Sequence, residues 1–135
     1  MAIDPHPPGE GERFLPERAP IDSYGNGGFR FAGMSHQGSL LVLANGMHAW
    51  SPGQFSDVTR NDFAAVLRAE SRPAFLLFGT GLEMHFPTPD LRRAFAEAGV
   101  ALEAMTTGAA VRTYNILLAE KRDVSAALIA VAAVR

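Results

Sequence analysis

The first half of the chain has the hydrophobic pattern of β-strands. Phe29 and Phe31 alternate with a polar residue, which is typical of a strand with one buried face. The segment 39–43 is almost entirely apolar without alternation, so we expect a strand that is covered on both faces. Asn-Gly at 45–46 predicts a tight turn into another short strand. Antiparallel hairpins are therefore expected before the first helix begins.

The second half of the chain alternates between helix and strand. Phe63, Val66 and Leu67 have the i, i+3, i+4 spacing of one apolar helix face. Capping residues mark the ends of the later helices, because Thr or Ser often precedes the first turn of a helix and Gly often follows the last. The pattern predicts, in order, a helix after Thr59, a strand at 74–78, a helix from Thr88 to Gly99, a strand at 100–105, a helix at 108–120 capped by Thr107, and a strand from Val124.

This order of elements predicts an α/β fold. Strands that alternate with helices form a parallel or mixed sheet that helices cover. We therefore expect a three-layer sandwich with a mixed central sheet, and a small additional antiparallel β layer made by the N-terminal hairpins. Residues 1–20 are rich in Pro and Gly and are predicted to be a flexible tail, with Phe14 and Leu15 docking on a single domain at 21–135.

Composition narrows the chemistry. The 135 residues are 47% hydrophobic, which is enough to form one core. The chain has 0 cysteines, so disulfides, thiolate nucleophiles, iron–sulfur clusters and cysteine zinc sites are excluded. The net charge of −2 provides no general attraction to nucleic acid or to anionic lipid. We expect no nucleic-acid partner.

Targeting signals are not evident in the sequence. The first 20 residues contain four acidic residues and several prolines, whereas a signal peptide needs a basic start and an apolar run. The apolar run at 126–134 is less than half of the roughly 20 residues that cross a membrane. The sequence therefore predicts a cytoplasmic protein without direct membrane insertion.

The common catalytic motifs are also missing from the sequence. The histidines lack the i, i+3 or i, i+4 spacing of metal ligands, and Glu83 with His85 is better explained as a polar rim beside the sheet. There is no GxSxG elbow, P-loop or GxGxxG fingerprint. We predict no catalytic residue, metal or cofactor and favour a protein that is not an enzyme, although the sequence leaves that question open.

Two glycine-containing loops carry the best candidate for a ligand site. Parallel strands end at one edge of a sheet, so the loop Gly79-Thr80-Gly81 should meet the loop that contains Thr107 and Gly108. The second loop leads into a helix N-terminus, where free amides favour an anion, and Arg112 lies about one turn further on. The alternative is ordinary capping by Thr107 and tight turning by the glycines.

The third predicted helix carries two polar residues that we assign to a structural network. Asn115 lies in mid-helix, where Asn is unfavourable, so we expect it to bind a neighbouring loop. Tyr114 is expected to bury its ring and to find a partner for its hydroxyl group. Catalysis by this pair is the less favoured alternative.

These stretches resemble a known family. The resemblance is carried by MTTGAAVRTYN at 105–115 and LFGTG at 77–81, with isolated matches at Ile21, Tyr24 and Trp50, and it extends over about residues 20–131. The chain resembles a family of small α/β domains of unassigned function that includes the mitochondrial NADH dehydrogenase (ubiquinone) 1 alpha subcomplex assembly factor 3. Thr106 stands where an acidic residue is expected in relatives, which argues against an acid–base role there.

The resemblance implies a three-layer fold and a role in assembling respiratory complex I. We therefore expect a bacterial binding or assembly factor that acts through protein–protein contacts. Its partners would be membrane respiratory-complex subunits or a second copy of itself, and such partners would hold it at the inner membrane. The alternative is an anion-binding protein or enzyme that uses the crevice between the two glycine loops. A structural domain without a ligand stays open as a third hypothesis.

Overall fold

The computed structural model describes residues 11–68 and 72–132, which contain nine strands, three α-helices and two short 3₁₀ helices. The strands are β1 (Arg13–Leu15), β2 (Ile21–Gly25), β3 (Gly28–Phe31), β4 (Met34–Gln37), β5 (Ser39–Leu43), β6 (Gly46–Trp50), β7 (Phe75–Gly79), β8 (Ala101–Met105) and β9 (Ser125–Leu128). The α-helices are α1 (Ala64–Leu67), α2 (Pro89–Ala98) and α3 (Thr107–Ala119), and the 3₁₀ helices are Phe55–Asp57 and Arg60–Phe63.

A six-stranded mixed sheet forms the middle of the molecule. Its strand order is β1-β6-β5-β9-β7-β8. The first four strands in this order, β1, β6, β5 and β9, pair antiparallel with one another. In contrast, β7 pairs parallel with both β9 and β8. A separate three-stranded antiparallel sheet has the order β2-β3-β4. The predicted mixed central sheet and the smaller antiparallel layer are therefore confirmed.

The central sheet is buried on both faces. Along β5, Leu40 and Val42 face one core, while Leu41 and Leu43 face the other. The first core also receives side chains from α3 and from the three-stranded sheet, and the second receives side chains from α1, α2 and the 3₁₀ segment before α1. Two covered faces explain why β5 is apolar without alternation. This arrangement is the predicted three-layer α/β sandwich.

The small layer and the first helix differ from the predicted elements. Only β2, β3 and β4 form the small layer, because β5 and β6 are buried on both faces and extend the central sheet instead. The helix expected after Thr59 begins as a 3₁₀ turn and becomes α-helical only at Ala64. The Asp62 carboxylate accepts a hydrogen bond of 2.8 Å from the Thr59 amide, which holds this tight first turn.

The predicted tail contains an edge strand. Residues 1–10 of that tail lie outside the described residues. Residues Arg13–Leu15 form β1, which pairs with β6 at the edge of the central sheet. The Phe14 ring lies 6.2 Å from that of Phe31 and 4.7 Å from that of His36, so it packs on the small sheet. The pattern of 13–15 is too short to show strand periodicity, which is why the sequence did not indicate β1.

Candidate functional site

The loops that follow β7 and β8 meet at the carboxyl edge of the central sheet. The Thr80 amide donates to Met105 O at 2.9 Å, and the Thr107 amide donates to Gly81 O at 2.9 Å. β7 leads to α2 on one face of the sheet and β8 leads to α3 on the other, so the two connections diverge here. Open α/β sheets bind ligands at such a switch point.

Thr106, not Thr107, caps α3. The Thr106 hydroxyl accepts a hydrogen bond of 3.2 Å from the Ala109 amide, and its backbone is extended, whereas Thr107 is the first helical residue. The predicted capping residue is therefore wrong by one position. Two consecutive threonines offer the same capping chemistry, and the sequence alone does not set the register between them.

Thr107 instead joins three elements in the interior. It is fully buried, and its hydroxyl donates to Ile129 O at 2.7 Å and accepts from the Gly81 amide at 3.0 Å. Gly79 allows this close approach, since a Cβ there would lie 3.0 Å from Thr107 Cα and 3.0 Å from Leu128 Cδ2. The Thr107 hydroxyl thus fastens the ends of β7 and β9 to α3.

Thr80 shapes the loop that follows it. Its side chain is buried, and its hydroxyl donates to Glu83 O at 2.8 Å and accepts from the His85 amide at 3.1 Å. The His85 ring stacks on Phe55 with centroids 4.7 Å apart, which fixes the far side of the loop. Thr80 is therefore a positioning residue for residues 81–86.

A cavity of about 240 Å³ remains open at this edge. It is lined by Tyr24, Gly81, Leu82, Thr106, Gly108, Arg112 and Val131. The structure thus brings Gly81, Gly108 and Arg112 of the predicted anion site together at one cavity. Gly79, Thr80 and Thr107 lie behind it and are not among the lining residues.

Few donors in this cavity are left for an anion. The amides of Thr107 and Ala109 already donate to Gly81 O and to Thr106 Oγ1, so the first turn of α3 offers at most the Gly108 amide. Arg112 is exposed and supplies the positive charge. An anion site here would rest on Arg112, the Tyr24 hydroxyl and one amide.

Tyr24 is one of four lining residues, with Leu82, Thr106 and Val131, that sequence reasoning did not assign to the site. Its ring comes from β2 and lies over the first turn of α3, where a Cβ on Gly108 would be 3.1 Å from Tyr24 Cζ. Gly108 is therefore needed for this contact. Tyr24 was part of the family pattern, but its contact with Gly108 joins distant parts of the chain, and no local signal predicts it.

Tyr114 and Asn115 attach α3 to the segment before β2. The Tyr114 hydroxyl donates to Ala19 O at 2.8 Å, and its ring is completely buried. Burial raises the pKa of Tyr114 far above its ordinary value, so the phenol stays neutral. Asn115 donates to Ile21 O and accepts from the Ile21 amide, both at 2.9 Å. These contacts hold α3 against the segment before β2, and neither side chain is among the residues that line the cavity.

The histidines within residues 11–68 and 72–132 make separate local contacts. His36 lies 2.9 Å from Ser39 O, His48 lies 2.9 Å from Asn45 Oδ1, and His85 stacks on Phe55. In this part of the chain, no group of three or more His, Cys, Asp or Glu side chains could hold a metal ion. No helix among the same residues is long and apolar enough to cross a bilayer.

The fold and the crevice define a class of protein: a small three-layer α/β domain with a cavity at the carboxyl edge of its mixed sheet. A family described as "Protein of unknown function (DUF498/DUF598)" matches residues 21–129. The chain belongs to this family, and the resemblance seen in its sequence is confirmed.

Three comparisons place the chain within this family. An uncharacterized protein of Rhodobacter capsulatus is 37% identical over 82% of this chain and 83% of its own length. The NADH dehydrogenase [ubiquinone] 1 alpha subcomplex assembly factor 3 of Mus musculus is 32% identical over 85% of this chain. The match spans 62% of that factor, so the chain corresponds to less than two thirds of it. A crystal structure described as an outer membrane protein from Bartonella henselae is similar with a TM-score of 0.79 and 44% identity, over 87% of this chain and 98% of that one.

Proposed function

We propose that this protein is a binding or assembly factor that acts through protein–protein contacts. The observation that carries the proposal is its family membership together with 32% identity to a mitochondrial complex I assembly factor over 85% of this chain. By this proposal its partners are subunits of a membrane respiratory complex. The protein works in the cytoplasm and stays at the inner membrane only through those partners.

An ordered loop with exposed apolar side chains supports a role in protein contacts. Phe86 is 81% exposed and Met84 is 42% exposed, and both lie on the loop after β7. The buried Thr80 hydroxyl fixes the path of this loop. Among the described residues three large apolar side chains are exposed, Met84, Phe86 and Ile116, and two of them lie on this one loop. A partner would lose little conformational entropy in meeting them, because the loop is already ordered.

The test is a pull-down of the tagged full chain from gently solubilised membranes and, separately, from cytosol, with mass spectrometry of the bound proteins. We expect subunits of a membrane respiratory complex to be enriched in the membrane fraction. Recovery of the chain alone, from cytosol only, contradicts the proposal. Recovery of untagged copies of the chain would instead identify a homo-oligomer.

A second candidate function is the binding of a small anion in the cavity beside α3. It is favoured by the position of Arg112, which lines the cavity with Tyr24 and Gly108 at the switch point of the sheet. Calorimetric titration with inorganic phosphate tests it. Binding that Arg112→Gln abolishes supports this candidate, and the absence of heat, or binding that Arg112→Gln leaves unchanged, contradicts it.

A further inference from the structure

A surface groove of about 510 Å³ lies between α2 and the helical segment that ends with α1. Its floor is apolar and is formed by Ala64, Leu67, Ala94 and Ala98. Its rim carries three exposed guanidinium groups and one exposed carboxylate, from Arg60, Arg68, Arg72 and Glu97. We propose that this groove is the docking surface for an acidic segment of a partner protein. This inference rests on the proposed function and names the chemistry of the partner.

Two of the three arginines give the groove its available positive charge. The Arg60 guanidinium binds both carboxylate oxygens of Asp90, at 2.6 and 3.1 Å, and it lowers the pKa of that carboxyl group. Its charge is therefore balanced within the chain. Arg72 uses one of its donors on Leu67 O at 3.3 Å, and a guanidinium group has five. Arg68 and Arg72 thus carry the charge that a partner can reach.

The groove is held open before any partner arrives. Beneath it, the rings of Phe63 and Phe95 meet edge to face with centroids 5.0 Å apart, which fixes the segment before α1 against α2. The Arg60–Asp90 pair joins the same two elements at the surface. A preformed groove lowers the ordering cost of binding, so a short segment could bind there with useful affinity.

The chemistry of the groove fits an acidic peptide segment. Guanidinium groups bind carboxylates in a bidentate manner, and the apolar floor would accept small apolar side chains between the acidic ones. Glu97 on the same rim would repel the continuous phosphates of a nucleic acid or an anionic bilayer. The chain as a whole has a net charge of −2, so a positive groove would orient an acidic partner toward this face.

Site-specific photocrosslinking in cells tests the proposal with the full chain. The photoreactive probe p-benzoylphenylalanine replaces Asn61, an exposed neutral residue that lines the groove. A control chain carries the same probe at Ala119, which is exposed on α3 at the opposite face of the sheet. We expect adducts from position 61 and none from position 119. The peptides crosslinked at position 61 should come from another protein and have a net negative charge.

Charge reversal then tests whether the arginines recruit that segment. Arg68→Glu with Arg72→Glu should lower the adduct yield from position 61 by about tenfold or more, because like charges would then face each other. Arg30→Glu with Arg92→Glu is the matched control, since both residues are exposed, neither lines the groove, and the change in net charge is the same. This control should change the yield by less than about twofold.

The other outcomes separate the groove from the proposed function. Adducts to basic or neutral segments, to lipid, to nucleic acid or to a second copy of this chain overturn the inference. So does a yield at position 61 that is no higher than at position 119. If the pull-down recovers respiratory-complex subunits while position 61 gives no adduct, the inference fails and the proposed function stands. An acidic adduct from an unrelated protein supports the groove and contradicts the proposed partners.

Discussion

The side chain of Asn115 pairs with the backbone of Ile21 as a neighbouring β-strand would, because it both donates to the Ile21 carbonyl and accepts from the Ile21 amide. We expect Asn115→Ala to lower the free energy of unfolding by about 1–3 kcal/mol, since both backbone groups lose their partner. Asn115→Asp can still accept the hydrogen bond from the Ile21 amide but can no longer donate to the Ile21 carbonyl. Its stability should therefore lie between that of the wild type and that of Asn115→Ala. Urea unfolding measures the series, and equal stability of all three proteins would contradict a structural role.

Thr106 and Thr107 should respond differently to the same substitution. Thr106→Val removes a helix cap and should cost about 1 kcal/mol. Thr107→Val keeps the shape but leaves the buried Gly81 amide and Ile129 carbonyl without their partner, so about 2–4 kcal/mol should be lost. Chemical unfolding of both variants gives the order. The reverse order would contradict the roles assigned to these two hydroxyl groups.

Gly79 should not tolerate a methyl group. Gly79→Ala would bring Cβ to 3.0 Å from the backbone of Thr107, which cannot move without displacing α3. We expect a loss of about 1–3 kcal/mol in the free energy of unfolding. Gly53→Ala is the matched control, because the nearest atom to a Cβ there is 4.0 Å away, and it should change stability by less than about 0.5 kcal/mol. Thermal and urea unfolding check both.

The buried phenol of Tyr114 predicts a loss of stability in alkali. The pKa of Tyr114 is raised in the folded state, so the folded state keeps its proton when the unfolded state has lost it. This contribution to stability is complete below the unfolded pKa of about 10 and declines above it, by about 1.4 kcal/mol per pH unit. We expect the free energy of unfolding, measured from pH 8 upward, to fall with this slope above about pH 10 in the wild type. The slope should be smaller in Tyr114→Phe. Tyr24→Phe is the control, and equal slopes in all three proteins would contradict the prediction.

Phe86 should contribute to partner binding without contributing to stability. Its side chain is 81% exposed, so Phe86→Ser should change the free energy of unfolding by less than about 0.5 kcal/mol. Recovery of partners in the pull-down should nevertheless decrease, because a fixed apolar contact is lost. Ile116→Ser removes another exposed apolar side chain, from α3, and serves as the control. Unchanged recovery with Phe86→Ser excludes this loop from the interface.

The sequence predicts most of the fold because its periodicity is local. The apolar run of β5 indicates two covered faces, and the Thr88 and Gly99 signals bound α2, where the Thr88 hydroxyl accepts from the Leu91 amide and Gly99 adopts a left-handed backbone. The site is less predictable because its contacts are not local. Tyr24 lies in the three-stranded sheet and contacts Gly108 in the first turn of α3. The Thr107 hydroxyl donates to the Ile129 carbonyl, which follows β9 later in the chain.

The place of β9 in the sheet has a consequence for how the chain is made. Among the described residues β9 is the last strand in chain order, yet it lies between β5 and β7 in the middle of the central sheet. A ribosome therefore releases β5, β6, β7 and β8 before the strand that joins them. Until β9 emerges, β5 and β7 each present an unpaired edge that could pair with another chain. The native sheet can close only after β9 has emerged, and a chain stopped before Ser125 would keep both edges open.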